Sequence, residues 1–157
     1  MSARDKLIDV VLDESSLAAA SANAAHERRI AMFDLIESNV FAVEGQDRGP
    51  YRLTLSTEDG RLHMKVSDEA DAAVFTHPLP LGSFRRLIKD YFMICESYYA
   101  AIRDATPTQI EAIDMGRRGL HNEGADLLAK ALEGKFKVDF ETSRRLFTLI
   151  CALHVRS

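Results

Sequence analysis

The chain has 157 residues, 46% of them hydrophobic and 28% charged, the balance of an ordinary globular protein long enough to bury a real core, and residues 1–157 read as a single domain. A formal charge of −4 and a pI near 5.7 exclude general electrostatic attraction to nucleic acid or to an anionic membrane. No apolar run approaches the roughly 18 residues a membrane helix needs, and the first one, Leu7 to Leu12, is too short and too charged for a signal sequence. Two cysteines, Cys95 and Cys151, are too few for a disulfide framework, so the expected location is the cytoplasm.

Residues 6–13, apolar and β-branched, predict a first strand. The Ser- and Ala-rich residues 14–25 read as a loop running into a helix over 26–38, with Asn23 as N-cap and Asn39 at its end. Its expected apolar stripe is Ile30, Phe33 and Ile36, flanked by Leu35 and Val40. The clearest pattern follows. Tyr51, Leu53 and Leu55 alternate with polar residues, as do Leu62, Met64 and Val66, and Asp59-Gly60 between them predicts a β-hairpin with one buried face. Residues 68–71 form a second turn, and 73–77 a third strand stopped by Pro78 and Pro80.

Ser83 is expected to cap a long helix over 84–104, whose stripe Phe84, Leu87, Ile88, Tyr91, Cys95, Tyr98 and Ile102 makes it the central packing element over the sheet. Thr106-Pro107-Thr108-Gln109 is a capping box with proline at the first helical position, so another helix starts there. Gly134 ends a helix that contains Leu127, Leu128, Ala131 and Leu132. Residues 136–139 read as a short strand, and Asp139 caps a last helix through His154 that Leu146, Phe147, Leu149, Ile150, Leu153 and Val155 leave nearly all buried. The fold class is α+β, a small antiparallel sheet of three to four strands packed against four to five helices.

The stretch Asp114-Met-Gly-Arg-Arg-Gly-Leu-His-Asn-Glu-Gly124 concentrates the candidate chemistry. Glycine costs about 1 kcal/mol against alanine inside a helix, so Gly116, Gly119 and Gly124 imply a ligand, a close neighbour or a turn. A helix broken at Gly116 and Gly119, with Asn122 capping the next, is preferred over a continuous one. A break would aim backbone N–H groups and the guanidinium groups of Arg117 and Arg118 at an anion, phosphate or carboxylate. His121 would then be the acid or base, oriented by Glu123 or Asp114. The competing explanation is that the arginines pair with carboxylates while the glycines let helices pack. Four arginine pairs, at 28–29, 85–86, 117–118 and 144–145, would make a basic patch if their exposed members converged. No metal-binding spacing and no cofactor motif occurs, so neither a metal nor a cofactor is expected. Cys95 and Cys151 lie on apolar helical faces and read as small hydrophobes rather than nucleophiles.

The blocks Arg85-Arg-Leu-Ile-Lys-Asp-Tyr-Phe-Met-Ile-Cys-Glu-Ser-Tyr-Tyr99, Gln109 through Gly124 and Arg144-Arg-Leu-Phe-Thr-Leu-Ile-Cys151 resemble an uncharacterised protein family, number 0262, of alphaproteobacteria. The likeness runs from His26-Glu-Arg-Arg29 to the end and is weakest over 13–25 and 61–76. It implies a small bacterial cytosolic protein and brings no activity, cofactor or catalytic residue to carry over. Three functions stay open: a binding or regulatory module for an anionic small molecule or a protein partner, an enzyme on a phosphorylated or carboxylated substrate using His121, and an assembly protein whose glycines pack helices, including across a homodimer.

Overall fold

The computed structural model describes residues 3–17 and 22–154. Four strands form one sheet: β1 (Leu7–Leu12), β3 (Tyr51–Glu58), β4 (Arg61–Asp68) and β5 (Ala73–Pro80), in the order β1-β3-β4-β5. A separate two-stranded ribbon pairs β2 (Phe41–Val43) with β6 (Phe136–Val138). Four helices, α1 (Ala22–Glu37), α2 (Arg85–Asp104), α3 (Pro107–Leu132) and α4 (Phe140–Leu153), complete the α+β architecture.

The β3–β4 hairpin forms where the alternation predicts it. Tyr51, Leu53, Leu55, Leu62, Met64 and Val66 are all fully buried, with Glu58 opposite Arg61. Asp59 and Gly60 both take positive φ, which a two-residue hairpin turn of matching twist demands. The sheet is mixed rather than antiparallel throughout, because β1 runs parallel to β3. The chain between them carries α1, and a helical crossover returns the next strand in the same direction. Strand β5 also continues through Pro78 and Pro80 instead of ending at His77. It lies at the sheet edge, where a proline can sit with its missing N–H away from the ladder.

The helices depart further from the sequence reading. Asn23 lies inside α1, which already begins at Ala22, and so is not its N-cap. Asn39 does close that helix: its amide donates to the Leu35 carbonyl at 2.8 Å, while its side-chain oxygen accepts from the Leu7 N–H at 2.7 Å, tying the helix end to β1. The buried face of α1 is Arg28, Ala31 and Leu35, so the predicted stripe is rotated: Ile30 is exposed and Phe33 is 65% exposed. The buried face is thus set by Arg28 and small Ala31 with Leu35 and not by the largest apolar side chains of the helix. Of the Ser- and Ala-rich loop, residues 18–21 lie outside the described residues, and so does Val155.

Ser83 makes no capping bond. A 3-10 turn over Gly82–Phe84 leads straight into α2, so the backbone is already helical where a cap would stand. Nor is α2 the central helix, since only Leu87 and Ile88 are buried in it. That role falls to α4, in which nine of fourteen residues are buried and which packs against both α1 and α3. Its N-terminus is capped as expected, with Asp139 Oδ1 accepting from the Thr142 N–H at 2.8 Å.

The capping box opens α3 with both of its reciprocal bonds, and Gly134, at φ +79°, follows its end. Between them α3 is one continuous helix of 26 residues, which overturns the expected break at Gly116 and Gly119. Two glycines have packing reasons. A Cβ on Gly116 would lie 2.7 Å from Ile94 Cδ1 of α2, and one on Gly124 would lie 2.4 Å from the Phe147 ring of α4. These glycines let α2 and α4 approach α3 closely; they do not end it. Asn122 is consequently mid-helix and caps nothing. Among the described residues no helix is long and apolar enough to cross a membrane.

Candidate functional site

Because α4 lies between α1 and α3, with α2 packed on α3, a cleft opens between α1 and the α2–α3 hairpin. It consists of two joined hollows of about 270 Å³ and about 500 Å³ that share Ala31, Asp34 and Thr148. The smaller is walled by Tyr91, Cys95 and Tyr99 of α2 and by Arg117 of α3. The larger holds His121 of α3 with Arg144 and Arg145 of α4. Helix α1 contributes carboxylates along the facing wall, Glu27 and Asp34 to the smaller hollow and Asp34 and Glu37 to the larger.

His121 lines the larger hollow next to Thr148, which both hollows share. Its Nε2 is 3.3 Å from Thr148 Oγ1, and its ring tilts against Tyr91 at a centroid distance of 4.6 Å. Burial, with the positive charges of Arg144 and Arg117, pushes its pKa down to about 4. The imidazole is therefore neutral at physiological pH and offers one donor and one acceptor. The depressed value also fixes a sign. An unfolded histidine takes up its proton near pH 6.5, so the contribution of neutral His121 is whole above that pH and is lost as pH falls toward 4. The shift, discounted because the ring is partly exposed, corresponds to about 1–2 kcal/mol. Urea denaturation at pH 7 and pH 4.5 is expected to show His121→Gln losing about 1 kcal/mol less than wild type over that interval; equal losses would rule the linkage out.

Arg117 lies 4.4 Å above the Tyr98 ring and donates to Asp114 Oδ1 at 2.6 Å. Arg118 reaches the other oxygen of the same carboxylate at 3.0 Å. Helical i, i+3 and i, i+4 spacing brings all three together, and Asp114 is thereby committed to arginines rather than to His121. Arg144 donates to Glu141 at 2.9 Å through one terminal nitrogen, while its Nε is buried with no hydrogen-bond partner among the described residues. Arg145 donates to the Ser38 carbonyl at the end of α1. Burial raises the pKa of the Cys95 and Cys151 thiols and of the Tyr91 phenol, so all three are protonated at neutral pH.

Of the residues the sequence singled out, Arg117 and His121 face the cleft and Asp114 anchors Arg117. Arg118, Gly119, Asn122 and Glu123 are exposed on α3, and none of them lines a wall of either hollow. Thr148, Asp34 and Tyr91 carry no site signal in the sequence, and Arg144 and Arg145 stand out there only as one arginine pair among four. Nothing local links them to His121; the packing of α4 on α3 brings Thr148, Arg144 and Arg145, that of α1 on α4 brings Asp34, and that of α2 on α3 brings Tyr91. Among the described residues no three His, Cys, Asp or Glu side chains come together as a metal site would require. A larger hollow of about 890 Å³, between the β3–β4 turn and the start of α2, borders Leu17 and His154 at the edges of the described residues and contains none of the predicted site residues.

The sequence profile of an uncharacterised protein family, UPF0262, matches residues 4–156. The chain belongs to that family. A UPF0262 protein of Agrobacterium fabrum is 57% identical over 151 residues, covering 96% of each chain. One from Hyphomonas neptunium is 57% identical over 150 residues, 96% of this chain and 93% of its own. A third, from Chelativorans sp., is 58% identical over 156 residues, 99% of this chain and 96% of its own. No solved structure matches. Membership in UPF0262 thus carries no ligand or reaction with it, and the functional reading rests on the cleft.

Proposed function

We propose that the protein is a cytosolic binding module that takes an anionic small molecule, a carboxylate or a phosphate, in the cleft between α1, α4 and the α2–α3 hairpin. The observation that carries this reading is Arg144, whose Nε is buried at the cleft wall without a hydrogen-bond partner among the described residues. A buried N–H that lacks an acceptor is costly, and an anionic oxygen would supply one. Arg145 lines the same hollow and Arg117 the adjoining one, with neutral His121 and the Thr148 hydroxyl between them as further hydrogen-bonding groups. Tyr91 and Tyr99 offer an apolar surface for the rest of the ligand.

An enzymatic version with His121 as acid or base asks for a pKa near the working pH, and a group with a pKa near 4 holds no proton to donate at neutral pH and is a weak base there. It also asks for an orienting carboxylate, whereas the hydrogen-bond neighbour of His121 is Thr148 and Asp114 is engaged by two arginines. Binding without turnover is the reading favoured by these contacts.

Thermal denaturation against inorganic phosphate, small dicarboxylates and nucleotides tests it. A ligand at about 100 times its dissociation constant stabilises by ~2.7 kcal/mol, or roughly 5–10 °C in melting temperature for a domain of this size. The expected result is such a rise in wild type and its loss in Arg144→Ala, with the variant still folded by circular dichroism. A flat panel, or a rise unchanged in both Arg144→Ala and Arg117→Ala, would overturn the proposal.

A further inference from the structure

The α2–α3 hairpin carries little of the core. No side chain of α2 after Ile88 is buried, and none of α3 before Gly124. Beyond the part of α3 that packs on α4, the far ends of the two helices chiefly cover each other, a marginal arrangement because most helical stability comes from packing an apolar face against further structure. Such a face exists. Ile88, Phe92, Cys95, Tyr99 and Ile102 recur every three or four residues along one side of α2. The stripe is buried at Ile88, half-buried at Phe92 and Cys95, and open at its far end, where Tyr99 is 57% and Ile102 51% exposed.

Two charges flank that open end. Glu96 and Arg103 are seven residues, two helical turns, apart and therefore lie along one flank of the stripe. Both are exposed, and neither forms an ion pair among the described residues. When two identical helices cross antiparallel about a two-fold axis, residues of the same flank face one another. An axis beside Tyr99, between Glu96 and Arg103, would set each glutamate opposite the other copy's arginine.

We propose that a second copy of this chain covers the stripe, its α2 lying antiparallel to the first about an axis beside Tyr99. Glu96 then faces the partner's Arg103, Arg103 faces the partner's Glu96, and the two Tyr99 rings meet across the axis. The paired α2–α3 hairpins form a four-helix layer, a common way for two helical hairpins to bury their apolar faces. An unrelated helix could cover Tyr99 and Ile102, but it would give no reason for charges that are self-complementary about Tyr99. Phe92, Cys95 and Tyr99 also line the smaller hollow of the cleft, so the second copy and a ligand share that wall, and the association is measured on the unliganded chain, where its outcome is separate from that of the ligand panel.

Sedimentation of the full-length chain, unliganded, at concentrations from about 5 to about 200 µM tests it. The expected result is a reversible dimer in wild type and a monomer in Tyr99→Asp, with unchanged circular dichroism because position 99 is exposed. Glu96→Arg and Arg103→Glu, each placing two like-charge contacts in the interface, are expected to weaken association about tenfold, and the double exchange to restore it to within about threefold of wild type. A wild type that stays monomeric throughout, a dimer unmoved by Tyr99→Asp, or a double exchange no tighter than the single ones would each overturn the proposal.

Discussion

Gly124→Ala is expected to lower the stability of the protein by about 2 kcal/mol, whereas Gly119→Ala, five residues earlier in the same helix, should raise it by about 0.5–1 kcal/mol. The two changes add the same methyl group and remove the same helical penalty of glycine. They differ in what the methyl meets. At position 124 a Cβ would stand 2.4 Å from two carbons of the Phe147 ring and 2.5 Å from a third. Phe147 is fully buried, with Tyr91 set edge-on to it at 6.3 Å, so it has no free space to move into. Accommodating the methyl means pushing α4 away from α3, and overpacking of that kind outweighs the gain in helix propensity. At position 119 nothing lies within 4 Å of the added atom, and only the propensity gain is left. Gly116→Ala falls between them, because its obstacle is Ile94 Cδ1, the tip of a half-buried side chain that can rotate aside. Urea denaturation of the three variants measures all of this. A Gly124→Ala protein as stable as wild type would mean that α3 and α4 do not cross at that glycine.

The same residues explain how much of this molecule was legible beforehand. The β3–β4 hairpin was, because alternation over Tyr51–Glu58 and Arg61–Asp68 and the turn residues Asp59-Gly60 are local signals. So were the capping box at Thr106 and the Asp139 cap, each written within four residues. The continuity of α3 was not. Gly116 and Gly124 are helix-breaking by local propensity, and they are tolerated because of Ile94 and Phe147, which lie on other helices. Strand β2 was invisible for a related reason: three apolar residues show no period, and Phe41–Val43 becomes a strand only by pairing with Phe136–Val138. Local periodicity assigns the stripe of α1 to its largest apolar residues, yet the buried face carries Arg28, Ala31 and Leu35 and leaves Phe33 in solvent. The candidate site follows the same division. Arg117 and His121 were singled out from one dense stretch of sequence, while Thr148 comes from a helix whose contact with α3 depends on a glycine 24 residues away.

Arg28→Ala is expected to cost about 3 kcal/mol, more than the loss of an ordinary surface arginine by a wide margin. Arg28 is only 2% exposed and sits on the face of α1 that packs against α4. Its Nε donates to the Ala152 carbonyl at 3.2 Å and one terminal nitrogen to the Leu153 carbonyl at 3.1 Å, with the Glu14 carboxylate 3.5 Å from the other. The final carbonyls of a helix have no partner within it, and a cation at that end also meets the negative pole of the helix. Arg28 thus closes α4, as Arg145 of α4 in turn donates to Ser38 at the end of α1. Two antiparallel helices hold each other's C-termini through arginines that stand out in the sequence only as members of arginine pairs. Truncation to alanine would leave buried carbonyls unsatisfied and a gap where the side chain lay, which is why the loss exceeds that of a charge alone. Arg28→Lys separates these contributions: it keeps the charge and most of the packing but cannot place two N–H groups in one plane, so about half of the loss is expected to remain. Measured by urea denaturation, an Arg28→Ala loss below about 1 kcal/mol would refute the capping role. An Arg28→Lys protein as stable as wild type would show instead that charge at the end of α4, rather than the paired hydrogen bonds, is what holds α1 and α4 together.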